Sequence, residues 1–414
     1  MSSSRRLTIQ RLVLPAGADP GALPLLAGRA LRALVDGYMA VLLPAYLLAL
    51  GLGTLEVGLI ATATMLGSAL CTVAVGAWSH RFRSSRLLRG AALLMASTGL
   101  GFATFSSFWP LLVVAFVGTL NPSSGDVSVF LPLEHARLAS AASGRARTSL
   151  FARYSLLGAL CAAVGALAAA VPDGLFSLGI SRTAALRFMF LLYSAVGLLV
   201  WWIYRKVPEE ASNPGVPAHA PLRASRRIVV RLAALFSVDA FAGGLVVNSL
   251  LSLWLFERFG VSLGQAGTFF FCAGLLSALS QLAAPLVASR IGLLNTMVFT
   301  HLPANVYLLL AALAPSLPWA LGLLLVRSAL SQMDVPTRNA YVMAVVTPAE
   351  RTAAASLTAV PRSLAGALSP TLSGLLFAAG WISAPLIACG AIKIAYDLTL
   401  WRTCRGDVLE EHPR

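Results

Sequence analysis

Five ionisable side chains stand inside long apolar stretches of this chain: Asp36, Asp126, Asp239, Arg327 and Asp334. At hydrocarbon depth such a group costs about 2.5–3.5 kcal/mol on insertion scales, so each needs a partner, water or a function. The chemistry they offer is proton uptake and exchange of ion pairs. A carboxylate in a poorly hydrated cavity can take a proton near neutral pH, and its neutralisation weakens pairing with a nearby cation. Arg327 and Asp334 are seven residues apart and share a helix face. Other chemistries find little support. The histidines (His80, His135, His219, His301, His412) are scattered without an HExxH pattern, and His301 reads as a packed polar residue because no second ligand stands at metal spacing. Four of the five cysteines (Cys71, Cys161, Cys272, Cys389) lie in apolar stretches and read as reduced, buried small hydrophobes. No Gly-rich phosphate loop ending in Gly-Lys-Ser/Thr is present, which speaks against direct ATP drive.

The elements that must position these charges follow from composition. The 414 residues are 58% hydrophobic and 11% charged, against about 45–50% and about 25% in soluble domains. Bilayer-spanning helices of about 20 apolar residues use such a composition directly. Twelve spans are expected, near 31–51, 56–79, 87–106, 109–133, 148–171, 184–204, 230–255, 265–288, 293–314, 318–345, 353–379 and 382–402. Helix is required because lipid satisfies no backbone polar group, and the runs are too long and evenly apolar for barrel strands. The expected organisation is a cytoplasmic arm (1–30), a six-helix bundle (31–204), a polar linker (205–227) rich in Pro, Glu and Ser, a second bundle (228–402) and a tail (403–414). No cleavable signal is evident.

The net charge of +15 would suggest nucleic acid in a soluble chain, but here it falls in loops. The termini and the loops after even-numbered spans hold 22 of the 31 Lys and Arg, whereas the opposite loops hold only Arg182, Arg187 and Arg258. Both termini are therefore expected in the cytoplasm. Arg outnumbers Lys 29 to 2, which suggests a GC-rich bacterial source and hence an inner-membrane location.

The two halves repeat. Asp36 in LVDGYMAVLLPAYL is echoed by Asp239 in SVDAFAGGLVVNSL at an offset of 203, Arg81 by Arg290 at 209, Asp126 by Asp334 at 208, and Arg147 by Arg351 at 204. Four landmarks in one order predict a parallel duplication, with a pseudo-two-fold axis along the membrane normal and a cavity between the halves.

At this point the chain resembles the major facilitator superfamily, from about Arg29 to Trp401. The family's signature between spans two and three is Gly, three residues, Asp, Arg, one residue, Gly and basic residues. Here Gly76, Arg81, Arg83 and Arg86 fit, but His80 replaces the acid and the second Gly is missing. In the second copy Ser289, Arg290 and Gly292 follow, with Pro285 in place of the first Gly. The resemblance marks Gly76, His80, Arg81, Arg86, Ser289 and Arg290 as cytoplasmic gate positions that lack the family's acidic latch. It also implies that spans one, four, seven and ten line a central cavity, and the five charges fall on those spans. The expectation is a wet cavity in which Arg327 balances Asp239 or Asp36, with buried ion pairs that hold helices in register as the alternative reading.

Asp126 and Asp334 sit toward the cytoplasmic end in two matched, proline-interrupted segments. Glu134, Arg147 and Arg153 in the first half, and Arg338, Arg351 and Arg362 in the second, are expected to exchange salt bridges there between two states. Lys393 and Asp397, four apart, read as a local helix pair. Gly366, Pro370 and Gly374 fall on nearly one helix face, a pattern that gives export weak support, with plain helix packing the weightier reading. The resulting expectation is an all-α polytopic membrane protein of two pseudo-symmetric six-helix bundles, acting as a monomeric secondary carrier of a small-molecule solute. Proton-coupled efflux is favoured, uptake by symport is the alternative, and a non-transporting receptor is less favoured. Its partners are solute, proton and membrane lipid, with no nucleic acid, cofactor, metal or enzymatic activity.

Overall fold

A computed structural model of the chain describes residues 14–78, 82–121, 123, 128–208, 225–347 and 350–405, the side chains at 76–78 and 352 excepted. Residues 1–13 of the expected arm, 209–224 of the linker and 406–414 of the tail lie outside these residues. The described residues fold as helices joined by short turns. Single helices form α1 (Leu23–Ala49), α2 (Thr54–Trp78), α3 (Ser84–Thr104), α8 (Arg182–Tyr204), α11 (Leu263–Ile291), α12 (Leu293–Ala312), α15 (Arg351–Ala378) and α16 (Ala384–Cys404). The fourth, fifth, seventh and tenth expected spans are each divided: α4 (Phe108–Val117) and α5 (Phe130–Ser140), α6 (Gly144–Leu167) and α7 (Val171–Ser177), α9 (Arg226–Gly244) and α10 (Asn248–Phe259), α13 (Leu317–Leu330) and α14 (Asp334–Ala344).

The divisions have local causes. After α4 the chain turns extended at Gly118, and the Asn121 side chain accepts hydrogen bonds from the Ser123 amide (3.1 Å) and hydroxyl (2.8 Å), an Asx turn that competes with helix. Gly243 and Gly244 end α9, and Val247 is extended before α10. Among the described residues, nine helical segments are long and apolar enough to cross a membrane. The spans that fall short are the fourth, divided into helices of 10 and 11 residues, the tenth, divided into helices of 14 and 11, and the eleventh, whose α15 carries Arg351 and Arg362 among Ser and Thr. This is a multi-pass membrane protein. Large apolar side chains such as Leu198, Leu282 and Leu368 face outward, as lipid contact requires, and Trp109, Trp319 and Trp381 stand exposed at helix ends.

The helices form two compact units. One holds residues 1–52, 63–216 and 262–271; the other holds 53–62, 217–261 and 272–414. Inside the first, α1 packs on α6 and α8, and α3 packs on α8. Inside the second, the equivalent helices pair the same way: α9 on α15 and α16, and α12 on α16. The α1–α6 contact depends on glycine. A Cβ at Gly37 would lie 2.0 Å from the Ala162 carbonyl oxygen, and one at Gly165 would lie 1.9 Å from that of Leu34. At the matching α9–α15 contact, a Cβ on Gly244 would lie 2.2 Å from the Gly366 carbonyl oxygen. Gly244 therefore serves close helix approach, the packing role that small residues commonly fill between membrane helices, and a Cβ on Gly366 opposite would lie 3.2 Å from the Ala240 carbonyl oxygen. An apolar core that includes Leu232, Phe236, Met297, Tyr341 and Leu400 closes the second unit.

Candidate functional site

Each unit carries one buried ionic cluster. In the first unit the centre is Glu134 on α5, fully buried. Arg32 of α1 donates through Nη2 to both of its carboxylate oxygens, at 2.6 and 2.5 Å. The Tyr154 hydroxyl of α6 and the Tyr204 hydroxyl of α8 donate to it as well. One carboxylate thus ties four helices. The Arg32 guanidinium lies 3.8 Å over the Phe130 ring, and that of Arg29 lies 5.3 Å over Tyr154. Space for this crowding comes from missing side chains: a Cβ at Gly158 would meet Arg29 Nε at 2.4 Å, and one at Gly28 would meet the Tyr204 oxygen at 2.3 Å. Asp36, one turn beyond Arg32 on α1, is partly buried within the field of Arg32 and Arg29.

In the second unit the centre is Asp239 on α9, 3% exposed. Lys393 Nζ on α16 donates to its Oδ1 at 2.5 Å, and Arg338 Nη1 on α14 stands 3.5 Å from its Oδ2. Arg338 also donates to Asp334, one turn earlier, at 3.0 Å. The His301 ring of α12 bridges two acids, with Nδ1 at 2.9 Å from Asp397 Oδ1 and Nε2 at 4.0 Å from Asp239 Oδ1. Asn305 donates to Asp397 at 3.2 Å. Carboxylates on α9, α14 and α16 are in this way matched by cations and donors from α12, α14 and α16. The guanidinium of Arg362 on α15 lies in the field of Asp239 and Asp334.

The structure therefore brings Asp239, Asp334 and Arg338 together and separates Arg327 from them. The expected pairing of Arg327 with Asp239 is replaced by Lys393, because α16 rather than α13 presents its cation to that face of α9. Lys393 and Asp397, instead of pairing locally, turn to different partners. Sequence reading also passed over His301, Arg32, Tyr154 and Tyr204 as members of a cluster. One signal was available: Glu134 and Arg338 stand at an offset of 204, in step with the repeat. The expected exchanging set is not assembled as drawn. Glu134 is taken by Arg32, Arg147 is exposed, Arg153 is partly buried on α6, and Arg351 Nε donates to the Met343 carbonyl at 3.1 Å. Arg86, Ser289 and Arg290 are exposed at helix ends, Gly76 lies in the last turn of α2, and Asp126, His80 and Arg81 lie outside the described residues.

Comparison with known proteins bears on this architecture. The family model described as Major Facilitator Superfamily matches residues 25–370. An uncharacterized membrane protein of Saccharomyces cerevisiae is 23% identical over 406 residues, covering 89% of this chain and 91% of the relative. Among solved structures, a bacterial homolog of the human lysosomal transporter Spinster aligns over 94% of this chain and 97% of its own at 15% identity, with a TM-score of 0.71. A D-xylose–proton symporter aligns over 92% and 97% at 16% identity, with a TM-score of 0.70.

Proposed function

This chain belongs to the major facilitator superfamily, and from that membership we propose that it is a proton-coupled secondary carrier that exports a small organic solute by alternating access. It works as a monomer in a bacterial inner membrane with both termini cytoplasmic, the orientation favoured by its Lys and Arg distribution. The observation that carries the reading is the cluster around Asp239. A buried ion pair is often no more stabilising than well-packed apolar residues of the same volume. A network of three acids, Arg338, Lys393 and His301 inside lipid-spanning helices is therefore better explained by use than by stability.

The use is proton coupling. Protonation of Asp239 removes the charge that holds Lys393 and Arg338, and the two cations can then choose other partners. Asp36 in the first unit is placed for the same role beside Arg29 and Arg32. A change of pairing that exists in one state only can bias a two-state element. Export is the direction kept from the Gly366, Pro370 and Gly374 pattern, although the close α9–α15 approach already accounts for Gly366. Uptake is the second reading, favoured by the likeness to a D-xylose–proton symporter.

The test is flux in proteoliposomes with an internal pH indicator, using solutes found by a susceptibility screen of a deletion strain. Transport should move protons stoichiometrically, and Asp239→Asn should abolish the coupling. Solute and proton movement in opposite directions supports export; movement together supports uptake. Solute flux without proton movement, unaffected by Asp239→Asn and Asp36→Asn, would sink the coupling.

A further inference from the structure

Arg327 is a charge that the ionic clusters of the described residues leave over. It lies ten residues beyond Leu317 in α13, or about 15 Å along the helix at about 1.5 Å per residue. That depth is near the middle of a hydrocarbon layer about 30 Å thick. An arginine side chain reaching about 6 Å falls short of the headgroups from there, so lipid phosphate cannot neutralise it. Within the described residues no carboxylate stands at ion-pair distance from it, since Asp239, Asp334 and Asp397 are engaged by Lys393, Arg338 and His301. Its Nε makes no hydrogen bond, and the titratable group in its field is the Cys389 thiol of α16. Part of its surface remains exposed. The charges within the spans of the second unit include Arg327, Arg338, Arg362 and Lys393 against Asp239, Asp334 and Asp397, four cations to three acids. Arg338 and Lys393 are paired and Arg362 lies in the field of Asp239 and Asp334, whereas no carboxylate stands in the field of Arg327.

We infer that Arg327 is the counter-ion for an anionic solute, a small organic carboxylate whose two oxygens the guanidinium fork accepts side by side. The fork suits a carboxylate where a lysine would offer only a point charge. Binding supplies the missing negative charge at mid-membrane, which explains why an unpartnered cation is kept at a depth where it is costly. This inference deepens the carrier reading above and rests on it, naming the solute class.

The experiment is thermal unfolding of the purified full chain in detergent, with sets of probes built on shared scaffolds. Benzoate, salicylate and naphthoate form the anionic set; benzylamine and naphthylmethylamine form the cationic set; benzyl alcohol is the neutral control. The carboxylates should raise the unfolding midpoint by several degrees, and the amines and the alcohol should not. Arg327→Gln should abolish the shift, and Arg327→Lys should retain part of it. Because no ion pair is lost, Arg327→Gln without probe should unfold at or above the wild-type midpoint. Selective stabilisation by the amines, an undiminished carboxylate shift in Arg327→Gln, a probe-free Arg327→Gln that unfolds well below wild type, or no shift from any carboxylate overturns the inference. A wild type that couples protons to amines or neutral solutes alone keeps the carrier reading and removes this one.

Discussion

Lys393→Met tests the arrangement around Asp239 most directly. The substitution keeps a long apolar stem and removes the ammonium that lies 2.5 Å from Asp239 Oδ1. Removing one partner of a buried pair costs about 3–5 kcal/mol, because the other charge is left uncompensated. Asp239 would still have Arg338 at 3.5 Å and His301 at 4.0 Å, but Arg338 is shared with Asp334. The lower end, about 3 kcal/mol, is therefore expected. Asp239→Asn combined with Lys393→Met removes both charges and should fall within about 1 kcal/mol of wild type, since neutral replacements of buried pairs are often tolerated. Asp239→Asn alone strands Lys393 and should itself cost about 3–5 kcal/mol, so the cycle yields a coupling of at least about 5 kcal/mol, well above the scatter of independent sites. Unfolding in mixed detergent and SDS micelles, followed by far-ultraviolet circular dichroism on the four proteins, measures it. If Lys393→Met lies within about 0.5 kcal/mol of wild type, the usual range for surface substitutions, or if the double variant loses the sum of the singles, the pair does not hold Asp239.

Four further outcomes are expected. Glu134→Gln should cost about 3–5 kcal/mol by stranding Arg32, whereas Tyr204→Phe removes one hydrogen bond to a charged group and should cost about 1.5–3 kcal/mol; the same micelle titration ranks them, and an equal loss would mean that Arg32 does not need the acid. Gly165→Ala should cost about 1–3 kcal/mol and lower the folded yield, because the added carbon meets the Leu34 carbonyl at 1.9 Å. Gly90→Ala on α3, where nothing lies within 4 Å, should instead gain about 0.5–1 kcal/mol from helix propensity, and size-exclusion profiles with unfolding midpoints would separate the two glycines.

Much of the fold was legible in the chain because lipid leaves so few choices. A run such as 184–204 has to be helical wherever it sits, and its composition alone marks it; the structure returns Arg182–Tyr204. The duplication was legible for the same reason, since matched spans keep matched landmarks, and the two units repeat one another's helix pairings. Breaks were harder to read. The seventh span reads as one continuous apolar run, yet Gly243 and Gly244 end α9, a local effect that hydropathy averages away.

The charged residues themselves were visible, because a carboxylate inside an apolar run stands out whatever surrounds it. Their partners were not. Lys393 and Asp397 are one turn apart in the chain, yet they meet Asp239 and His301 on two other helices, according to how α16 is rotated against α9 and α12. Arg327 looked like the natural balance for Asp239, and packing leaves it beside a thiol. Sequence by itself determined that the long apolar runs are helical, that they come in two copies, and which charges lie within them, because those are properties of composition and spacing. Which charge faces which was decided only by tertiary structure, because ion pairing falls off within a few ångströms and helix rotation sets those distances.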